Sequence, residues 1–297
     1  MKAIIINGSP RKNFNTAKLL KEAQRGAESL GAETEFFNLY DINFKGCLSC
    51  FACKRKGAAT NCVCAIKDEL RPVLEKCIQA DAIIMGSPVY FSYPTGEFRS
   101  FLERFLFPVH TYLVDKETGE LKSLRPKTIP CGVIFTMNCP KEMMERYNYP
   151  TILEDNVKCL NHVLGYSEVL YSCDTYQFYD YSKYDIDLFD EKEKARVREE
   201  QFPKDMENAF EMGRKMIKLA KGEQKRYADQ VLQENNFVIK NKKELTFCKL
   251  FLNGRDDTIR TCDPFVPSEV RYQAALHPDI VLIIASHFAV VHYILLT

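Results

Sequence analysis

Apolar residues along the chain follow two periods. Short continuous apolar runs of strand length, Ala3 to Ile6, Asp81 to Gly86 and Ile129 to Thr136, stand between longer segments whose apolar positions recur every three or four residues. In the first such segment Thr16/Ala17, Leu19/Leu20, Ala23, Gly26/Ala27 and Leu30 share one stripe, the i, i+3, i+4, i+7 pattern of an amphipathic helix. The same criterion predicts helices over Ile66 to Ile78, Gly96 to Phe105, Thr151 to Val163 and Asp190 to Lys221, the last broken near Pro203. Glu33 to Leu39 and Glu168 to Ser172 read as two further strands. Strands alternating with helices predict an α/β protein with a parallel sheet and crossover helices. Near-continuous apolar strands such as Ala82 to Met85 fit burial on both faces. Five strands suit the doubly wound order 2-1-3-4-5, which places a ligand where strands 1 and 3 diverge.

That order directs attention to the loops after strands 1 and 3, Gly8 to Thr16 and Ser87 to Tyr93. The first is a phosphate-sized loop opening a helix, where free backbone N–H groups and the positive end of the helix dipole meet. Ser9, Asn13, Asn15 and Thr16 add donors there, and Arg11 and Lys12 add charge. It is neither a Walker A loop nor G-x-G-x-x-G. By spacing alone, an ordinary capped strand–helix corner fits equally well. The second loop offers a fixed backbone at Pro88, then Val89, and a flat aromatic wall at Tyr90 or Phe91, suited to a planar ring. The competing reading makes those aromatics core residues at a helix start. Thr136 and Asn138 lie in the third loop at this end of the sheet.

Composition narrows the class. The chain has 297 residues, 46% hydrophobic and 27% charged, enough for a packed core in one large domain or two small ones. A net charge of +1 gives no pull toward nucleic acid or an anionic membrane. Four apolar residues after Met1-Lys2 are too few for a secretory signal, so the 12 cysteines read as reduced thiols or as metal or cluster ligands in the cytoplasm. Cys47, Cys50 and Cys53 form C-x2-C-x2-C, Cys62 follows after eight residues, and Cys64 after one more. Three readings compete: a [4Fe–4S] cluster, a zinc site on Cys47, Cys50, Cys62 and Cys64, and unliganded thiols on a packed loop. Lys54, Arg55 and Lys56 beside them read as a solvated surface, and His110 and His162 as structural.

The run from Asn7 to Leu20 resembles the FMN-phosphate loop of the flavodoxin-like NAD(P)H-dependent FMN reductases and iron–sulfur flavoproteins, and Gly86 to Phe105 resembles their isoalloxazine loop and following helix. The resemblance spans roughly residues 1 to 220. It implies FMN held by Ser9, Arg11, Asn13, Asn15, Thr16, Pro88, Val89, Tyr90, Phe91, Thr136 and Asn138. It implies NAD(P)H as the hydride donor and an unidentified electron acceptor, and it names no catalytic side chain. It also implies a homo-oligomer, and it places cluster ligands at Cys47, Cys50, Cys53 and Cys62, with Cys64 the second choice for the fourth. Two other functions remain in view: an FMN and iron–sulfur electron carrier that does not use NAD(P)H, and a non-redox nucleotide-binding module.

Two inserts and a tail complete the pattern. Phe107 to Lys127 is a long connection, and Asp174 to Asp190 holds six aromatics in a polar setting, suggesting a lid, a subunit contact over Tyr176 to Tyr184, or a pinned surface loop. The fold pattern ends near Gly222, giving a domain over residues 1–222, a tail helix or linker over 223–252, and an extension over 253–297. Asn253 to Pro264 resembles a string recurring at the ends of unrelated bacterial reading frames. Ile280 to Thr297 is apolar and at the lower length limit for a membrane anchor, but the expectation is a non-functional extension and no membrane contact.

Overall fold

The computed structural model describes residues 1–56, 62–114 and 127–223, together with residues 116, 117, 119, 121 and 124. The expectations for residues beyond 223 lie outside these. Met1–Gln224 forms one compact unit. Its strands are β1 (Lys2–Asn7), β2 (Glu33–Asn38), β3 (Ala82–Tyr90), β4 (Tyr93–Pro94), β5 (Ile129–Thr136) and β6 (Gly165–Ser172). The main sheet runs β2-β1-β3-β5-β6, every pair parallel, with two-residue β4 folded back on β3. This is the expected doubly wound order with a hairpin strand added. β1 from Ala3 to Asn7 and all of β5 are buried, as strands covered on both faces must be.

Among the described residues there are seven α-helices, the first five between strands and the last two after β6: α1 (Asn15–Glu28), α2 (Arg71–Gln79), α3 (Gly96–Val109), α4 (Lys141–Arg146), α5 (Tyr149–Leu164), α6 (Glu191–Glu200) and α7 (Phe202–Lys218). The charged segment after residue 190 divides at Gln201, two residues before Pro203, because proline lacks the amide a continuous helix would need. α2 begins five residues later than its apolar pattern suggests. Pro72 sits in its first turn, where its missing N–H costs nothing, so the helix starts there and not at Ile66. β3 continues past Gly86 because Ser87 and Pro88 still pair with Phe135 and Thr136 of β5. Pro88 and Val89 are therefore strand residues, and the loop proper shrinks to Phe91-Ser92.

α1 and α7 pack backbone to backbone on one face. A Cβ at Gly26 would lie 1.9 Å from the Phe210 carbonyl oxygen, and one at Gly213 would lie 1.9 Å from that of Ala23. Only glycine permits this crossing. It fixes α1, and with it the loop that precedes it, against β3 and β5.

Candidate functional site

Three loops meet at the carboxyl ends of β1, β3 and β5. The Gly8 amide donates to the Gly86 carbonyl at 2.8 Å, and the Thr95 hydroxyl donates to the Gly8 carbonyl at 2.7 Å. A Cβ at Gly8 would meet the Phe98 side chain at 2.7 Å, so a larger residue would push the first loop off the third strand. Thr16 and Thr136 share a hydroxyl hydrogen bond of 2.7 Å, which ties the α1 start to the end of β5. The crevice is thus built by buried side chains, Ser9, Asn15, Thr16 and Thr136 among them.

Within the first loop, Ser9 Oγ accepts from the Arg11 amide at 3.1 Å and turns the chain. Phe14 precedes α1 in an extended conformation, and no side chain caps the helix. The capped-corner alternative therefore does not describe this turn. The amides of Asn15, Thr16 and Ala17 have no intrahelical acceptor and remain donors at the positive end of the dipole. Asn13 lies at the surface, where its Oδ1 accepts from Lys21 at 3.4 Å.

Arg11 and Asn15 make contacts that the sequence did not suggest. Arg11 Nη1 donates to the Gln177 carbonyl at 2.5 Å, and its guanidinium lies 3.4 Å from the centre of the Phe14 ring. Asn15 Nδ2 donates to the Tyr176 carbonyl at 2.6 Å, and Tyr179 meets Phe14 edge-on at 5.0 Å. Asn138 reaches the same segment, with Nδ2 on Gln177 Oε1 at 2.7 Å. The tyrosine-rich insert lies on the first loop.

Phe91 and Ser92 form the two-residue turn between β3 and β4, with φ of 49° and 73°. A left-handed pair is what a tight hairpin needs, but here neither residue is glycine or asparagine, so the turn carries local strain. It holds Phe91 almost wholly in solvent, 98% exposed, between half-exposed Tyr90 and Tyr93. These aromatics are not core. They form a projecting wall beside the crevice.

The cysteine loop lies to one side, against α3. Cys47, Cys50, Cys53 and Cys64 line one pocket with Phe51, Phe107 and Arg104. Ser49 and Phe51 adopt left-handed φ values of 49° and 53°, which wind the loop around Cys50. Cys62 does not line this pocket, and its thiol donates to the Leu124 carbonyl at 2.9 Å. The zinc tetrad with Cys62 is therefore not assembled. Among the described residues no three His, Cys, Asp or Glu side chains converge as a metal-ion site. Burial pushes the Cys53 and Cys62 thiols up. Lys54 is not a solvated cation: its ammonium caps the Phe107 and His110 carbonyls at the end of α3, and burial pulls its pKa down. His110 and His162, read singly in the sequence, lie with ring centres 5.9 Å apart.

Arg104 supports this pocket from behind. Its side chain is fully buried, forks onto Asp68 at 2.5 and 2.9 Å, donates to the Lys45 carbonyl at 3.1 Å, and places Nε 3.3 Å from Cys64 Sγ.

The sheet order and the loops at its switch point define a flavodoxin-like fold with a crevice where β1 and β3 diverge. Residues 1–121 match the model of the NADPH-dependent FMN reductases. An iron–sulfur flavoprotein of Methanocaldococcus jannaschii is 39% identical over 104 residues, covering 35% of this chain and 51% of the relative. One from Archaeoglobus fulgidus is also 39% identical over 104 residues, covering 35% and 48%. The chain spans about half the length of these curated relatives. The NAD(P)H:quinone oxidoreductase from Methanothermobacter marburgensis shares the fold at a TM-score of 0.50, with 15% identity over 72% of this chain and 96% of that one. Among the described residues no helix is long and apolar enough to cross a membrane.

Proposed function

We propose that the chain is a cytoplasmic, homo-oligomeric FMN-dependent oxidoreductase that draws hydride from NAD(P)H and passes electrons to a separate acceptor. The observation that carries this is the junction of the three loops, Gly8 on Gly86 and Thr16 on Thr136, in front of an uncapped helix. The site fits FMN on chemical grounds: amide donors and a guanidinium for a phosphate monoester, glycine where backbone must approach closely, and an exposed aromatic wall at Tyr90 and Phe91. Bound FMN supplies the two-electron chemistry, and the chain's residues bind and orient it. Ser9, Arg11, Asn13, Asn15 and Thr16 serve the phosphate, Pro88, Val89, Tyr90 and Phe91 the ring, and Thr136 and Asn138 the edge of the crevice.

Mixing FMN-loaded protein with NADH or NADPH without oxygen tests the activity. Prompt bleaching of the flavin band near about 450 nm is expected. Bound FMN that neither nicotinamide bleaches would leave an electron carrier in place of a reductase. Arg11→Ala is expected to weaken FMN binding about tenfold, the loss of one charge-assisted hydrogen bond, and an unchanged dissociation constant removes Arg11 from the phosphate site.

A [4Fe–4S] cluster fits the cysteine pocket in its donor set, four thiols on one wound loop and its flank. We assign the fourth ligand to Cys64 and not Cys62, since Cys64 shares the pocket and Cys62 points to Leu124. Protein purified without oxygen should carry about four iron atoms per chain. Cys64→Ser should lose them and Cys62→Ser should keep them. The reverse order, or no iron in the unaltered protein, overturns the assignment.

A further inference from the structure

The insert after β6 forms a strap whose base is zipped to the loop after β5: the Asp174 amide donates to the Cys139 carbonyl and the Thr175 amide to that of Met137, both at 2.9 Å. α6 follows the strap, and Lys194 fixes it to this corner by donating to Asp174 Oδ1 and the Asn138 carbonyl, each at 2.6 Å. Residues one helical turn apart share a face, so the face of α6 that buries Lys194 also carries Arg198 and leads to Phe202, where α7 begins. Arg198 Nη1 lies 3.5 Å from Asn15 Oδ1, and its guanidinium stands 4.2 Å from the centre of the Phe202 ring. α6 thus brings a cation to the first residue of α1 from 183 positions away in the sequence.

Arg198 is half-buried there, and among the described residues no carboxylate pairs with it. Its neighbours are Lys18, a second half-buried cation without an acid partner among the described residues, and Tyr176 and Tyr179 of the strap. The first turn of α1 holds no acidic residue either. Two cations therefore stand at the positive end of a helix dipole. Burial pulls both pKa values down, and the Arg198 charge adds to the pull on Lys18. Position 198 is in the last turn of α6, where that helix's own dipole favours a cation, but a cation serving that dipole alone would stay in water and not lie against the start of another helix. The arrangement is unfavourable until an anion joins it. Asn15 supplies none: its carboxamide goes to the Tyr176 carbonyl through Nδ2 and to Arg198 through Oδ1, leaving its backbone amide for a ligand. Arg11 gives one nitrogen to the Gln177 carbonyl and its face to Phe14. Arg198 has no such commitment, because a contact of 3.5 Å is at the limit of a hydrogen bond.

We propose that Arg198, with Lys18 beside it, is a ligand of the flavin's terminal phosphate, carried into the site by a helix that lies outside the residues 1–121 matched by the family model. The inference rests on the flavin reading given above and adds to it a residue that no loop motif contains. A guanidinium fork suits two phosphate oxygens, and the amides at the start of α1 face the others.

Dissociation constants for FMN and riboflavin, which has the same ring without the phosphate, test it by flavin fluorescence on protein stripped of cofactor. Arg198→Gln should weaken FMN about tenfold, the loss of one charge-assisted contact, and leave riboflavin within about twofold. Arg198→Lys keeps the charge without the fork and should fall between. FMN binding by Arg198→Gln should also weaken less steeply with added salt than binding by the unaltered protein. An unchanged FMN constant in Arg198→Gln overturns the assignment. So does an equal loss for FMN and riboflavin, which would make Arg198 a packing partner of Phe202. If riboflavin does not bind measurably, the salt dependence decides, and equal slopes overturn the assignment. If Arg198→Gln does not fold, the same comparisons are read from Arg198→Lys. Each of these failures leaves the flavin site standing. Unaltered protein that binds neither flavin overturns the flavin reading and this inference with it.

Discussion

Lys194→Met is expected to cost about 3–5 kcal/mol of folding stability. The Lys194 side chain is 1% exposed and that of Asp174 11%. Methionine fills a similar volume but leaves the Asp174 carboxylate and the Asn138 carbonyl without their shared donor in a nearly dry site. An unpaired buried charge carries most of that cost. A second change should therefore return much of it: Lys194→Met with Asp174→Asn should regain roughly half, since the amide is neutral. Urea denaturation of the unaltered protein and the two variants measures this. A single variant within about 1 kcal/mol of the unaltered protein would show that the pair is solvated and does not hold the strap.

The parallel sheet and its order were legible because the strands are short apolar runs and the helices keep a clear stripe. The loops at the switch point followed from that order. Features made by tertiary contact were not legible. Arg11 and Asn15 meet the strap across 166 and 161 residues of sequence, and no local pattern encodes such a contact. Lys194 sits in a segment so rich in charge that nothing distinguishes its one buried cation from its solvated neighbours. The hairpin at Phe91-Ser92 was hidden because its turn residues lack the usual glycine or asparagine. Cys62 and Cys64 differ by two positions, and only the path of the chain decides which one faces the pocket. Arg104 did leave a signal. It falls among Phe98, Phe101, Leu102 and Phe105 on the buried side of α3, and a cation on an apolar face needs a buried acid for a partner.

That partner is Asp68, and Arg104→Met is expected to cost about 3–4 kcal/mol. The fork onto Asp68 also holds the Lys45 carbonyl, just before the cysteine loop, and reaches Cys64 after it. One side chain therefore fixes both ends of the segment that would surround a cluster. The pH dependence gives a signature that a packing loss would not. Burial works to raise the Asp68 carboxyl, but the Arg104 hydrogen bonds and charge outweigh it, and its pKa lies below the usual value. A depressed carboxyl contributes stability that is full above the unfolded-state value, about 4, and is lost as the pH falls through the lower folded-state value. The unaltered protein should thus lose stability as the pH falls below about 4 more steeply than Arg104→Met, and the two curves should converge in acid. Chemical denaturation at pH 7 and across the acid range supplies both curves. Curves that stay parallel would show that Arg104 acts by filling space and that its ion pair with Asp68 contributes little.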